Sequence, residues 1–117
     1  MSIPTDTELR RRREKLQIRL KEWRRKSPLR KWRERLGIDI NTAAFELGLS
    51  FSTYQKWDYG NGHPVVREED GKLKATVNVR EKVGGPSSPR DWDEYMLAKT
   101  GVSINKYMLW FNQRPRT

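Results

Sequence analysis

The 117-residue sequence has no cysteine, only one histidine and no long apolar segment. Without cysteine the chain has neither disulfides nor thiolate metal ligands, which is typical of a protein from a reducing compartment. A single histidine excludes a metal site built from several histidines. No segment approaches the ~20 apolar residues of a membrane-spanning helix, and the basic N-terminus lacks the apolar centre of a signal peptide. We therefore expect a cytoplasmic protein with no membrane contact, metal, other cofactor or evident small-molecule ligand.

No group of side chains has the composition of a catalytic site. His63 has no nucleophile beside it and precedes Pro64 in a predicted loop. Gly84-Gly85 lacks the strand and helix that flank a phosphate-binding loop. The acidic residues are scattered among basic ones, as salt-bridge partners are. We expect that the protein is not an enzyme.

Positive charge is concentrated in the first third of the chain. The net charge is +10, and residues 1–37 contain 14 Lys/Arg against 5 Asp/Glu, whereas residues 38–117 contain 11 against 10. Such an excess favours contact with nucleic-acid phosphates. The alternative is a helix whose charges are simply solvated. Phosphate contact is favoured because an unbroken basic block repels itself without an anion beside it, and the block consists of Arg10, Arg11, Arg12 and Arg13.

Residues 38–60 have the pattern of two short helices joined by a tight turn. Asp39 and Ser50 are good N-caps, and Gly48 and Gly60 are suited to ending helices. The expected helices run from about 40 to 47 and from 51 to 59. This pattern predicts a helix-turn-helix, whose second helix offers its first residues to the DNA major groove. The residues expected where the helices and turn touch are Ala43, Ala44, Leu47, Leu49, Tyr54 and Trp57.

A third helix is predicted immediately upstream. Ser27-Pro28 is a cap followed by proline at the first helical position, and Gly37 is the expected stop. Between them, Leu29, Trp32 and Leu36 form one apolar face.

Together, residues 29–60 resemble the phage-repressor/Cro-like helix-turn-helix family. The resemblance covers 32 of the 117 residues. It implies a DNA-binding protein of bacterial, phage or mobile-element type, acting in the cytoplasm of a bacterial host cell. Asp58 departs mildly from the family, which usually has W-E-x-G. The shared motifs are L-R-x-x-R-x-x-x-G at 29–37, A-x-x-L-G-L-S at 44–50 and W-D-x-G at 57–60.

The resemblance also implies which residues contact DNA bases. The family's contact positions fall on Phe51, Ser52, Gln55 and Lys56. Ser52 can bond donors or acceptors, Gln55 suits adenine and Lys56 suits guanine. Phe51 replaces the usual polar residue, and either contacts a thymine methyl or packs within the protein.

Phosphate contacts are expected on both sides of this helix. Asn41 and Thr42 occupy the first turn of the preceding helix, where the helix dipole favours an anion. Asn61 follows the motif and is a similar candidate, and Tyr59 is another.

Residues 1–26 are predicted to form a basic N-terminal arm, helical from about residue 7 to 26, with Thr5 or Asp6 as its cap. Its apolar stripe is narrow and allows three arrangements. It packs on the domain, pairs with a second copy, or becomes ordered only on DNA. The stripe consists of Leu9, Leu16, Leu20 and Trp23.

Residues 64–82 are predicted to form a β-hairpin around Asp70-Gly71. That turn places Arg67 opposite Lys74, an unfavourable like-charge pair that a phosphate between them would relieve. The hairpin is therefore a candidate DNA-contacting wing, and the alternative is that it only covers the core. The expected apolar face consists of Leu73, Ala75, Val77 and Val79.

Residues 83–117 contain a Gly/Ser/Pro-rich linker and two predicted helices, from about 89 to 100 and from 103 to 112. GLSFSTYQKW at 48–57 matches GVSINKYMLW at 101–110 with a constant offset of 53. The C-terminal pair thus resembles a degenerate second helix-turn-helix, unless one turn type recurs by chance. Its last helix is predicted to be apolar on most sides, so we expect it to be buried in the core or at a subunit interface. The interface candidates are Met108, Leu109, Trp110 and Phe111.

The sequence as a whole predicts a mainly α-helical protein with a small β-hairpin. Its expected segments are the arm (1–26), the helix-turn-helix domain (27–63), the hairpin (64–82) and the C-terminal helical pair (83–117). The expected function is a sequence-specific transcriptional regulator of double-stranded DNA, most simply a repressor.

A homodimer is expected, because one motif buries little surface. A second DNA-contacting unit would instead let a monomer span two sub-sites. Two other functions fit the same motif. One is a DNA-packaging or recombination accessory protein that recruits an enzyme, and the other is an inhibitor or RNA-binding module.

Overall fold

The protein is mainly helical with one small antiparallel hairpin, as predicted. A computed structural model describes residues 3, 5–77, 82–84 and 92–116. In these residues the helices are α1 (Asp6–Arg25), α2 (Pro28–Leu36), α3 (Ile40–Leu47), α4 (Phe51–Tyr59), α5 (Trp92–Thr100) and α6 (Ile104–Phe111). The strands are β1 (Val65–Glu69) and β2 (Lys72–Thr76).

The helix boundaries follow local capping chemistry. The Ser50 and Asp39 side chains accept hydrogen bonds from the backbone amides three residues ahead, as N-caps do. Gly37, Gly48 and Gly60 end helices in the left-handed conformation, with φ of 66°, 64° and 78°. Helix α1 begins one residue before the predicted position and is capped by Thr5.

The hairpin has the predicted register. Asp70 and Gly71 both have positive φ, as a tight two-residue turn requires. Arg67 faces Lys74 and Val66 faces Ala75 across the strands. Ala75 and Val77 are buried and Leu73 is half-buried, so one face of β2 joins the core. Val79 lies outside the described residues.

All six described helices and both strands contribute to one hydrophobic core. Leu20 and Trp23 of α1 pack into it, so the C-terminal half of this helix is anchored to the domain while Leu9 and Arg10–Arg13 are exposed. The helix-turn-helix and the C-terminal pair share this core rather than forming separate ones. The predicted helix start near Pro89, and most of the linker before it, lie outside the described residues.

Helix α6 contacts both α1 and the end of α4. The indole rings of Trp23 and Trp110 stack with centroids 4.2 Å apart. Each ring's Nε1 donates to the other residue's backbone carbonyl at 2.9 Å. Tyr107 Oη lies 2.7 Å from the Trp57 carbonyl and 2.8 Å from that of Gly62, at the end of α4. Helix α6 therefore braces both α1 and the C-terminal end of α4.

Candidate nucleic-acid interface

Helices α3 and α4 meet at a tight turn centred on Gly48. Small residues on α3 permit close packing, since Ala43 and Ala44 are buried. Leu49 is buried in the turn, and its amide donates to the Ala44 carbonyl at 3.0 Å. These contacts hold α3 and α4 together across the turn.

A buried polar network orients α4. Tyr54 Oη donates to Asp58 Oδ2 at 2.8 Å, and Arg33 Nε of α2 donates to the same oxygen at 3.0 Å. Burial, and then the neighbouring Asp58 carboxylate, raise the pKa of Tyr54, so its hydroxyl stays protonated and keeps donating. The Asp58 carboxylate thus holds α4 against α2. With Tyr54 and Trp57 buried, the opposite side of α4 is left for solvent.

The four base-contact candidates lie on that outward side. Ser52 and Lys56 are exposed and Gln55 is half-buried. Phe51 is 45% exposed, so nearly half of this residue remains open to solvent. The side thus presents a hydroxyl, an amide, an ammonium and one aromatic ring.

The phosphate candidates of α3 are exposed but have an acidic neighbour. Asn41 and Thr42 lie in the first turn, as predicted. The Asp39 carboxylate accepts from the Thr42 amide at 2.8 Å, and this bond lowers the pKa of Asp39. A negative charge therefore already occupies part of this helix N-terminus and weakens its attraction for an anion.

The remaining phosphate candidates differ in their surroundings. Tyr59 and Asn61 are exposed at the end of α4, and Arg67 is exposed on β1. The Lys74 Nζ instead lies 3.8 Å from Oδ2 of Asp93 in α5. That ion pair offsets the like-charge pairing across the hairpin without a phosphate. The four exposed arginines of the arm make no salt bridge within the part of the chain that the structure describes, and they are Arg10, Arg11, Arg12 and Arg13.

The C-terminal pair repeats the turn and the helix cap of the first unit. Gly101 has φ of 74°, like Gly48, and Ser103 caps α6 as Ser50 caps α4. The repeated tyrosine and tryptophan, Tyr107 and Trp110, are both buried.

The outer side of α6 is more polar than the sequence suggested. Its exposed residues include Asn105 and Lys106. Of the four interface candidates, Trp110 is buried and Met108 and Phe111 are half-buried against this chain's own core. Leu109, at 65% exposure, is the one that remains open to solvent.

Sequence reasoning missed one basic residue near α4. Arg24 of α1 lines the same cleft as Lys56, Tyr59 and Asn61. No local pattern marks Arg24 among the many basic residues of α1, because its place depends on how α1 docks on the domain.

Two classes of site are not found in the part of the chain that is described. No group of three or more His, Cys, Asp or Glu side chains is placed to hold a metal ion among those residues. Within them, too, no helix combines the length and apolar character needed to cross a membrane. Comparisons with protein-family models, with curated proteins and with solved structures found no match.

Proposed function

We propose that the protein is a sequence-specific double-stranded DNA-binding transcriptional regulator of the Cro-like helix-turn-helix type, acting in the bacterial cytoplasm. The observation that carries this proposal is the exposed polar side of α4, braced from behind by α2, α3 and α6. Ser52, Gln55 and Lys56 are available on that side, while the polar network at Asp58 fixes the helix orientation.

In this mechanism the start of α4 enters the major groove. Gln55 pairs with adenine, Ser52 bonds a base edge and Phe51 contacts a thymine methyl. Each good base contact contributes roughly 1–3 kcal/mol of discrimination. The basic arm supplies affinity that is independent of sequence, through its exposed arginines Arg10–Arg13. Binding to a promoter in this way would block its use, which makes repression the simplest outcome.

A homodimer is part of the proposal. One α4 helix covers only a few base pairs, and paired half-sites extend the footprint. Leu109 is an exposed apolar side chain on α6 that suits a subunit contact, flanked by the half-buried Met108.

The experiment is selection of bound sequences from random duplex DNA, followed by affinity measurements on variants. A palindromic consensus is expected. Ser52→Ala and Gln55→Ala should each reduce the preference for the selected duplex over random duplex by about tenfold, since each removes one base contact. The fold should be unchanged by circular dichroism.

Asn105→Ala is the matched control. Asn105 occupies in α6 the position that Ser52 occupies in α4, and it is exposed. Full discrimination should survive in this variant. If both α4 variants discriminate like the parent, α4 is not the recognition helix. If only Asn105→Ala loses discrimination between the selected duplex and random duplex, the base contacts are made by α6 and not by α4.

A further inference from the structure

A groove runs between α1 and α4 and is continuous with the base-contacting side of α4. Its two adjoining clefts share Arg24 of α1 and Tyr59 of α4. One cleft, which we call the upper cleft, extends along α1 past Lys21. The other, which we call the lower cleft, extends to Lys56 and Asn61. We call the two clefts together the α1–α4 groove. Gln55, a base-contact candidate, lines its lower end.

The charge of the groove is uniformly positive. None of the residues that line it is acidic. Arg30 lies in the upper cleft but is paired with Glu34 at 2.7 Å. Among the described residues, Lys21, Arg24 and Lys56 have no carboxylate within salt-bridge distance. Cations gathered in a cleft without counter-charges repel each other, so the groove is suited to an anion.

Arg24 is the central cation of the groove, because it lines both clefts. It is half-buried, and its Nε is buried without a hydrogen-bond partner among the described residues. Arg24 also has no carboxylate partner among the described residues, so its guanidinium is suited to an anionic acceptor in the groove. The adjacent Trp23 is held by its stack and paired hydrogen bonds with Trp110. The backbone that carries Arg24 is therefore fixed relative to α4.

We infer that the α1–α4 groove binds a DNA backbone phosphate, with Arg24 as its central ligand and Lys56 and Asn61 beside it. This inference rests on the proposed function, since it needs duplex DNA on α4. It assigns Lys56 to phosphate, where a flexible point charge is suited, rather than to guanine. The phosphate belongs to the nucleotide step next to the base that Gln55 contacts, so the groove sets the depth and register of α4.

The test compares Arg24→Gln with Arg25→Gln. Both variants remove one arginine from the last turn of α1, but Arg25 is exposed and does not line the groove. Arg24→Gln should weaken binding roughly tenfold, on the selected duplex and on an unrelated duplex alike, and should lower the salt slope by about one. Arg25→Gln should cause a clearly smaller loss.

Duplexes with a single neutral methylphosphonate locate the phosphate. The parent should lose affinity at one backbone position next to the base assigned to Gln55, and Arg24→Gln should be insensitive at that same position. If Arg24→Gln does not fold, Asn61→Asp replaces it. That variant puts a carboxylate of equal size in the groove from an exposed position and should weaken binding to every duplex.

The outcomes separate this inference from the proposed function. Sequence-selective binding with equal losses for the Arg24 and Arg25 variants, and no shared methylphosphonate position, would overturn the groove and leave the function standing. Unselective duplex binding that still depends on Arg24 would support the groove and overturn sequence-specific regulation. A parent protein that binds no duplex DNA would overturn both.

Discussion

Gly60 should be harder to replace than Gly37, because Trp23 of α1 and Trp110 of α6 pack against it. At φ of 78° an added Cβ would overlap the ring of Trp23 and lie 2.8 Å from Cη2 of Trp110. Gly37 provides the matched control, since it also ends a helix at positive φ, 66°, but a Cβ there would meet nothing within 4 Å.

The two alanine variants share one cost and differ in another. Left-handed backbone costs an alanine about 1–2 kcal/mol at either position. Gly60→Ala must also displace two stacked indole rings that are held by hydrogen bonds, and overpacking of this kind costs about 1–3 kcal/mol more. We therefore expect losses in the free energy of unfolding of about 1–2 kcal/mol for Gly37→Ala and about 2–5 kcal/mol for Gly60→Ala.

The assay is equilibrium urea unfolding followed by far-UV circular dichroism, with near-UV spectra to report on the stacked tryptophans. Gly60→Ala alone should alter the near-UV signal. A Trp23→Leu background removes the larger part of the crowding and leaves Trp110 without its stacking partner, so adding Gly60→Ala should cost less there than in the parent protein. Equal destabilisation of the two single variants would refute the packing of α1 and α6 around Gly60.

Two further predictions concern a buried hydrogen bond and a helix cap. Tyr107→Phe should lower the free energy of unfolding by about 1–3 kcal/mol, because it leaves the Trp57 and Gly62 carbonyls without their shared donor. Tyr95→Phe, which removes an exposed 3.4 Å bond, is its control, and losses of similar size in urea titrations would contradict the assignment. The Asp39 carboxylate has a lowered pKa because it accepts a hydrogen bond from the Thr42 amide. The stabilisation from this bond is therefore present above the unfolded pKa of about 3.9, and it is lost as pH falls through the folded pKa. Asp39→Asn keeps a capping side chain without that titration, and its thermal midpoint should fall less than the parent's below about pH 4; superimposable profiles would show that the cap contributes nothing.

The sequence predicted the elements whose boundaries depend on neighbouring residues. Ser50, Asp39 and Ser103 cap helices by hydrogen bonds to amides three residues away. The turn at Asp70-Gly71 sets the hairpin register, because only two residues connect the strands. The outward position of Ser52 on α4 was predictable in the same way, since helical periodicity puts Tyr54 inside and Ser52 outside.

Periodicity was less informative for α6. The run from Tyr107 to Phe111 suggested a helix apolar on most sides, yet Asn105 and Lys106 are exposed and Leu109 is the open apolar position of that run. Trp110 stacks on Trp23 of α1, Tyr107 donates to the Trp57 carbonyl of α4, and Phe111 packs on His63 in the loop after α4. No pattern within the eight residues of α6 can indicate these distant partners.

Local sequence thus determined the helices, the turns and the side of α4 that faces solvent, because these depend on hydrogen bonds and side-chain spacing within a few residues. Only the tertiary structure decided that Trp23 stacks on Trp110, 87 residues away. It also decided that Lys74 forms an ion pair with Asp93 of α5. The position of Arg24 beside α4 follows from that docking of α1. Contacts between distant segments are chosen by packing of the whole core, and a single sequence does not state them.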